Sequence, residues 1–147
     1  MTQRSTVVLI VACFVCLCLP TPGLAQDFKV VVNDSNPIAS IQVEELSRIF
    51  LKQTAAWPGG LRAHPIDQTS KSECRQRFSL AVHKRDVNAI RAHWQRMVFS
   101  GRAVQPVEKE TDAEVLDAVR SNAGAVGYVS SSTSVGEGVK TIEVEGI

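Results

Sequence analysis

The stretch 111–129 constrains the fold of this chain more than any other, because a helix start, a helix end and a buried strand follow one another there. Thr111 and Glu114 fit the capping box S/T-x-x-E, in which each side chain satisfies a backbone N–H at the start of a helix. Gly124 tolerates the left-handed conformation that commonly ends a helix. The apolar run 125–129, which leaves little room for large side chains, is typical of a strand buried on both faces.

The chain before this stretch predicts further strands and helices in alternation. The run 29–33 is rich in β-branched residues and predicts a buried strand. Ser40 is then a candidate N-cap for a helix. Residues 61–67 predict a weaker strand, in which Pro65 indicates a sheet edge or an early end. The helix after Ser40 is predicted from four apolar residues at helical spacing, Val43, Leu46, Ile49 and Phe50.

Two more helices are predicted in the middle of the chain. Ser70 and Glu73 form a second capping box, which predicts a helix that runs to Val82. Asp86 is the candidate N-cap of the next helix, and Gly101 marks its end. The apolar stripe of that second helix consists of Val87, Ile90, Trp94, Met97 and Val98.

The alternation of elements predicts the fold class. A last strand over 139–144 completes the order β-α-β-α-α-α-β-β. This pattern is typical of an α/β domain, in which helices pack on both faces of a mainly parallel sheet and form a three-layer sandwich. We therefore expect one domain over residues 26–147, because about 120 residues suffice for a single core of ordinary size.

Residues 1–25 predict a signal peptide that is not part of the fold. Arg4 supplies the positive start, and residues 6–19 form an apolar run that is too short for a comfortable membrane span. Cleavage after Ala25 would place the mature chain in the periplasm, with no membrane-spanning segment. A lipoprotein cleavage box that ends at Cys13 is an alternative, but the apolar run before it would be very short.

Composition excludes several classes of protein. The chain has 16 Lys and Arg against 15 Asp and Glu, so the loss of Arg4 with the signal peptide leaves a net charge of zero. No basic patch indicates nucleic acid as a partner. Cys74 is the one cysteine after residue 25, so no internal disulfide is expected. Because His64, His83 and His93 lack ligand spacing, neither a metal nor any other cofactor is predicted.

Cys74 has two interpretations, a packed thiol or a nucleophile. Arg75 and Arg77 flank it and would favour a reactive thiolate, but no histidine lies near it in sequence to act as a base. The chain also contains no G-x-S-x-G, H-E-x-x-H or glycine-rich phosphate motif. The sequence therefore favours a protein that is not an enzyme, and catalysis by Cys74 is its weakest hypothesis.

Hydroxyl and amide side chains follow three predicted strands, over 33–36, 68–72 and 130–133. Ligands of open α/β sheets bind beyond the carboxyl ends of strands. Ser70 opens a predicted helix, whose unpaired N–H groups and partial positive charge suit an anion. Such side chains also cap helices and bond their own backbone, so capping and ligand contact both remain open.

Several segments resemble one family in order and spacing. Between Lys29 and Val144 they read VVVN, IASIQVEELSRIFLKQTAAWPGG, RQRF, HWQRMVFSGRAVQP and NAGAVGYVS. This set is similar to the PstS-like substrate-binding proteins of phosphate ABC transporters, which have the type 2 periplasmic-binding-protein fold. Members of full length have two lobes that close on the ligand, and this chain resembles a single lobe.

The resemblance implies a ligand and a site. The ligand would be phosphate or another small oxyanion, held by hydrogen bonds from the start of the helix that Ser70 opens. The implied ligand-binding residues are Thr69, Ser70, Ser72, Ser35, Ser130 and Arg75.

The loop 68–73 departs from the family pattern. Gln68 stands in place of an arginine, and both glycines of the family's loop are absent. Glu73 would repel an anion unless its side chain folds back into the cap. Arg75 could compensate, although the family pattern makes a structural salt bridge there equally plausible. A single lobe also cannot bury an ion from both sides.

Two functions are therefore carried forward from the sequence. The first is an exported, non-enzymatic solute-binding domain that serves an ABC transporter or a sensor. The alternative is a periplasmic interaction module that has lost ligand binding and contacts another envelope protein, or itself, through the former cleft. Exposed apolar residues along the strand-end face would favour the alternative.

Overall fold

The computed structural model describes residues 27–147, so the predicted signal peptide and the Cys13 alternative lie outside the described residues. Within 27–147, no helix combines the length and the apolar character that crossing a membrane requires. The strands are β1 (Phe28–Asn33), β2 (Ser40–Gln42), β3 (His64–Gln68), β4 (Val107–Lys109), β5 (Ala125–Ser130) and β6 (Val139–Glu145). The helices are α1 (Val43–Phe50), α2 (Glu73–Phe78), α3 (Val87–Phe99) and α4 (Asp112–Arg120), and a π-helical turn, Ser79–His83, continues α2.

The six strands form one mixed sheet in the order β2-β6-β1-β5-β3-β4. β3 runs parallel to β4 and β5, and β2 runs parallel to β6. β1 lies between β5 and β6 and is antiparallel to both. The predicted α/β class with a mainly parallel sheet is confirmed, and β1 is the exception in direction.

Alternate residues of the central strands supply two separate cores, one on each face of the sheet. Val30 and Val32 of β1 join the core beneath α1, α2 and the π-helical turn, whereas Val31 joins the core beneath α4. A period of two residues produces this division, because successive strand side chains point to opposite faces. Helices on both faces give the three layers that the sequence predicted.

The predicted helix and strand of the stretch 111–129 are confirmed, but Gly124 does not end the helix: α4 ends at Arg120, and Gly124 lacks the positive φ of a left-handed residue. Thr111 and Glu114 form both hydrogen bonds of the capping box at the start of α4. Gly127 lies in β5 directly under this helix, where a Cβ atom would stand 2.6 Å from Val115 Cγ1. The absence of a side chain therefore sets the close approach of α4 to the sheet.

Three local predictions are wrong. Ser40 begins the short strand β2, and Gln42 occupies the N-cap position of α1. Ser72, not Ser70, caps α2. Pro65 does not mark a sheet edge, because β3 lies between β5 and β4, although β4 pairs only from Ile66 onward.

The end of α3 differs from its predicted apolar stripe. Asp86 caps the helix as predicted, and Val87, Ile90 and Trp94 are buried. Val98 is instead 51% exposed. The helix packs on the π-helical turn rather than directly on the sheet, so its last turn projects beyond the core. β4, which follows it, was not predicted at all.

His83 ends the π-helical turn and packs against α1. Its Nδ1 is 2.8 Å from the Ser47 hydroxyl, and its ring lies edge-on to Phe78. Burial lowers the pKa of His83 to about 4, and the nearby charges of Arg75 and Arg85 act in the same direction. The imidazole is therefore neutral in the folded protein at neutral pH.

This shift predicts a loss of stability in mild acid. A histidine with a folded pKa near 4 and an unfolded pKa near 6.5 contributes its full stability above pH 6.5 and loses it as the pH falls toward 4. Linkage gives a decrease of about 2 kcal/mol in the free energy of unfolding between pH 7 and pH 5 from His83 alone. Denaturant unfolding at both pH values measures it, and His83→Gln should remove that part of the decrease. An equal decrease in the variant would contradict the assignment.

Candidate functional site

The carboxyl ends of β3 and β5 lie side by side at one end of the sheet, and we call this region the strand-end site. A cavity of about 400 Å³ there is lined by Gln68, Ser72 and Asp112 together with Ser130. A second cavity of about 480 Å³ lies beside it and is lined by the loop 69–72. Two of the three predicted polar strand ends are thus brought together.

Ser35 is not part of this site. β1 is antiparallel to β5, so the residues that follow β1 lie at the opposite end of the strands from Ser130. There the Ser35 hydroxyl donates to Asn33 Oδ1 over 2.6 Å, and Asn33 Nδ2 donates to the last carbonyls of α4. The sequence argument placed Ser35 wrongly because it assumed that all strands ran in the same direction.

The Ser72 hydroxyl is fully used in capping α2. Its oxygen accepts the Arg75 backbone N–H over 3.3 Å, as an N-cap does. Its proton is donated to Gln68 Oε1. A hydroxyl has one proton to give, so Ser72 has none left for a ligand. At this residue the capping interpretation holds.

Asp112 takes up the donors that the site presents beside Ser72. Its carboxylate accepts Gln68 Nε2 over 2.9 Å and the Ser130 backbone N–H over 3.0 Å. It also accepts the Thr133 hydroxyl. Three donors converging on one carboxylate is the arrangement a small oxyanion would need, and here a side chain of the protein fills it.

Arg75 is buried in a network of charged groups and does not face the cavity. The side chain is 3% exposed, with ion pairs of 3.1 Å to Asp67 and 2.7 Å to Glu108. The Tyr128 hydroxyl donates to Asp67 from the other side. Burial raises the pKa of Asp67, and the Arg75 charge opposes that rise. Arg75 thus serves the structural role that the sequence left open.

Thr69 and Ser70 are the predicted residues whose hydroxyl groups remain free. Among the described residues, no acceptor is found for either hydroxyl, nor for the backbone N–H groups of Ser70, Lys71, Glu73 and Cys74. This set could contact an anion from one side. It lies at the start of α2, where the helix dipole also favours negative charge.

The strand-end site is nevertheless acidic. The larger cavity is lined by Glu108 and Glu110. The smaller one is lined by Asp27, Glu73, Glu110 and Asp112, and its Arg77 pairs with Asp27. At separations of a few ångströms, like charges oppose a phosphate dianion strongly near a protein surface. The sequence foresaw the repulsion from Glu73 but not that from Asp112 and Glu110.

Cys74 lines the same cavity as an inert thiol. Burial raises its pKa to about 12, the Asp112 charge adds to the rise, and Arg77 opposes it. No cluster of His, Cys, Asp and Glu in residues 27–147 has the arrangement to hold a metal ion. The strand-end site therefore offers a ligand hydrogen bonds and charge, and Cys74 does not offer it a nucleophile.

The residues that sequence reasoning missed are Asp67, Glu108, Asp112 and Tyr128. Asp112 directly follows the predicted N-cap Thr111, and an acidic residue there is easily explained by the helix dipole alone. Its contacts with Gln68 and Ser130 join residues far apart in the chain. No pattern among neighbouring residues of the sequence predicts these contacts.

Comparison with protein-family models and with curated proteins finds no match. Among solved structures, an ABC-type phosphate transport receptor from Vibrio cholerae superposes with a TM-score of 0.63 at 23% identity, over 81% of this chain and 46% of that one. A putative phosphate ABC transporter substrate-binding protein with bound phosphate from Clostridium perfringens gives a TM-score of 0.65 at 15% identity, over 82% and 46%. PstS from Borrelia burgdorferi gives 0.56 at 14%, over 81% and 47%.

These structures define the class of the fold. The chain has the α/β fold of a part of a phosphate-type periplasmic binding protein, as the sequence resemblance implied, and it spans less than half the length of the structures it matches. At these identities the likeness shows the fold and carries no ligand with it.

The pKa of Cys74 predicts a thiol that resists modification. With a pKa near 12, only about one thiol in ten thousand is ionised at pH 8, and the thiolate is the reactive form. We expect a disulfide reagent such as DTNB to label folded protein at least a hundred-fold more slowly than protein unfolded in guanidinium. Labelling at the rate of the unfolded chain would show that the thiol is neither buried nor raised in pKa.

Proposed function

We propose that this chain is an exported, binding-protein-like lobe that acts as a protein-interaction module in the cell envelope and does not carry phosphate. The observation behind the proposal is one exposed apolar stretch, 98–107, which we call the 98–107 surface. Its four large apolar side chains are Val98, Phe99, Val104 and Val107, with exposures of 51, 90, 75 and 59%. Exposed apolar patches of this kind typically mark contact sites with other proteins.

The free energy available from burying these four side chains supports a function in protein contact. Fully burying one exposed large apolar side chain contributes about 1.5–3 kcal/mol, and because these four are only 51–90% exposed, together they offer on the order of 4–8 kcal/mol. Association costs roughly 4–15 kcal/mol in lost freedom of motion. Burial of the 98–107 surface can therefore offset a substantial part of that cost, and further contacts supply the rest.

An open sheet edge adjoins the surface. Within residues 27–147, β4 is the last strand of the sheet and pairs only with β3, so its outer backbone groups face away from the sheet. An edge strand with free N–H and C=O groups can accept a strand of another chain. The sequence hypothesis expected apolar residues at the strand-end face, whereas these lie at the end of α3 and the start of β4.

The strand-end site argues against phosphate as the ligand. Arg75 is committed to buried ion pairs, the Ser72 hydroxyl is committed to the cap, and the Ser130 N–H is committed to Asp112. Acidic residues line what remains open. Of the residues that the resemblance implied, Thr69 and Ser70 keep free hydroxyl groups, and the Ser130 hydroxyl shares a hydrogen bond with Ser132 over 3.1 Å.

A crosslinking experiment tests the interaction. A photoreactive residue at position 99, in cells that produce the protein, should give a discrete adduct that Val104→Ser/Val107→Ser reduces at least five-fold. The matched control places the same residue at the exposed position Thr141, on β6, where no adduct is expected. Equal adducts at both positions, or none at 99, would overturn the proposed function.

A second candidate function is weak, one-sided contact with an oxyanion at the loop 69–71. The unpaired N–H groups at the start of α2, with Lys71 beside them, favour it. They offer donors from one side only, so water keeps access to the ion from the other.

Titration calorimetry separates the two candidates. With phosphate, sulfate and molybdate at millimolar concentration we expect no saturable heat, because carboxylates line the same cavities. Saturable heat that Ser70→Ala weakens, and that Ser35→Ala at the opposite end of the sheet does not, would instead establish the second function.

A further inference from the structure

A groove with a volume of about 490 Å³ opens at the other end of β3, away from the strand-end site. We call it the amino-end groove. The last turn of α1, the start of β3, the end of α4 and the chain that enters β4 form its walls. This volume lies in the range of pockets that hold small organic ligands. The resemblance gives this groove no role, and the proposed function involves only Val104 and Val107 of its lining.

The lining combines apolar side chains with positive charge. Apolar contacts come from Ile49, Pro65, Ile66, Ala103 and Val104, among others. Lys52 and Arg62 also line it. In the part of the chain that the structure describes, no acidic residue lines the groove, and neither cation takes part in an ion pair.

Backbone contacts fix where the two cationic side chains start, although the side chains themselves are exposed. The Lys52 N–H donates to the Ile49 carbonyl over 3.0 Å and closes the end of α1. Arg62 bridges to Ala56, and its carbonyl packs so tightly on Gly124 that a Cβ atom there would stand 1.9 Å from it.

We propose that the amino-end groove binds a small amphipathic carboxylate, such as a medium-chain fatty acid. The hydrocarbon body lies on the apolar lining, and the carboxylate pairs with Lys52 and Arg62. Charge complementarity selects this class, because an anionic head meets two free cations and no carboxylate. A small cation would meet repulsion, and a neutral chain would leave both charges without a partner.

The ligand site is separable from the protein contact proposed above. Lys52 and Arg62 lie outside the 98–107 surface, and Phe99 does not line the groove. Substitutions at the two cations therefore test the groove alone, and Phe99→Ser tests the protein contact alone. Val104 and Val107 belong to both the amino-end groove and the 98–107 surface, so they are left unchanged in these variants.

Binding is measured by chemical shifts of the purified, ¹⁵N-labelled protein during titration with octanoate, octan-1-ol and octylammonium. Octanoate should produce saturable shifts at Ile49, Ala63 and Ala118. Octan-1-ol should bind about ten-fold more weakly, because each partly exposed ion pair contributes a few-fold to affinity. Octylammonium should produce no saturable shift.

Charge-neutral variants identify the residues responsible. Lys52→Gln/Arg62→Gln should weaken octanoate about ten-fold, whereas the matched control Arg91→Gln/Arg96→Gln, on the exposed face of α3, should leave it within two-fold. All four positions are exposed, so the variants are expected to fold, as circular dichroism would verify.

Three results would overturn the proposal. One is equal affinity for octanoate and octylammonium, and another is unchanged octanoate affinity in Lys52→Gln/Arg62→Gln. The third is saturable binding of a short apolar peptide with a free carboxyl terminus when octanoate does not bind, since that would make the occupant a partner segment.

Discussion

The buried ion pair between Arg75 and Asp67 is the interaction on which the rest of this structure depends. It joins α2 to β3, and the Tyr128 hydroxyl extends it to β5 while Glu108 extends it to β4. The Tyr128 ring stacks on Phe78 with 3.8 Å between centroids, so the polar network and the apolar core share one residue. Removing one partner of such a pair leaves a buried charge uncompensated and costs about 3–5 kcal/mol.

This network also decides what the strand-end site can do. Because Arg75 is paired with Asp67 and Glu108, its positive charge is unavailable to a ligand at the strand-end site. Gln68 stands where the resembling family has an arginine, and its amide bonds Asp112 instead of an anion. The lobe thus keeps the fold of a binding-protein part, while Arg75, the Ser72 hydroxyl and the Ser130 N–H are satisfied from within. Stability and ligand binding compete here for the same groups.

Local patterns in the sequence predicted the elements that depend on neighbouring residues. The Thr111 capping box, the Asp86 cap and the strands β1, β5 and β6 follow from chemistry within a few positions of chain. The three residues of β4 carry no such pattern and form a strand only because β3 lies beside them. The direction of β1 has no local signature either, and it alone removed Ser35 from the site.

The topology sorts charge between the two ends of the sheet, although the net charge of residues 27–147 is zero. Carboxylates gather at the strand-end site, whereas Lys52 and Arg62 stand at the amino-end groove without any acidic neighbour in its lining. An anionic ligand is therefore repelled by one end of the lobe and attracted by the other. The net charge of zero does not show this separation, because it sums the charges at both ends of the parallel strands β3 and β5. The end of the sheet that the family uses for its ligand is thus the one that electrostatics makes least suitable for an anion in this chain.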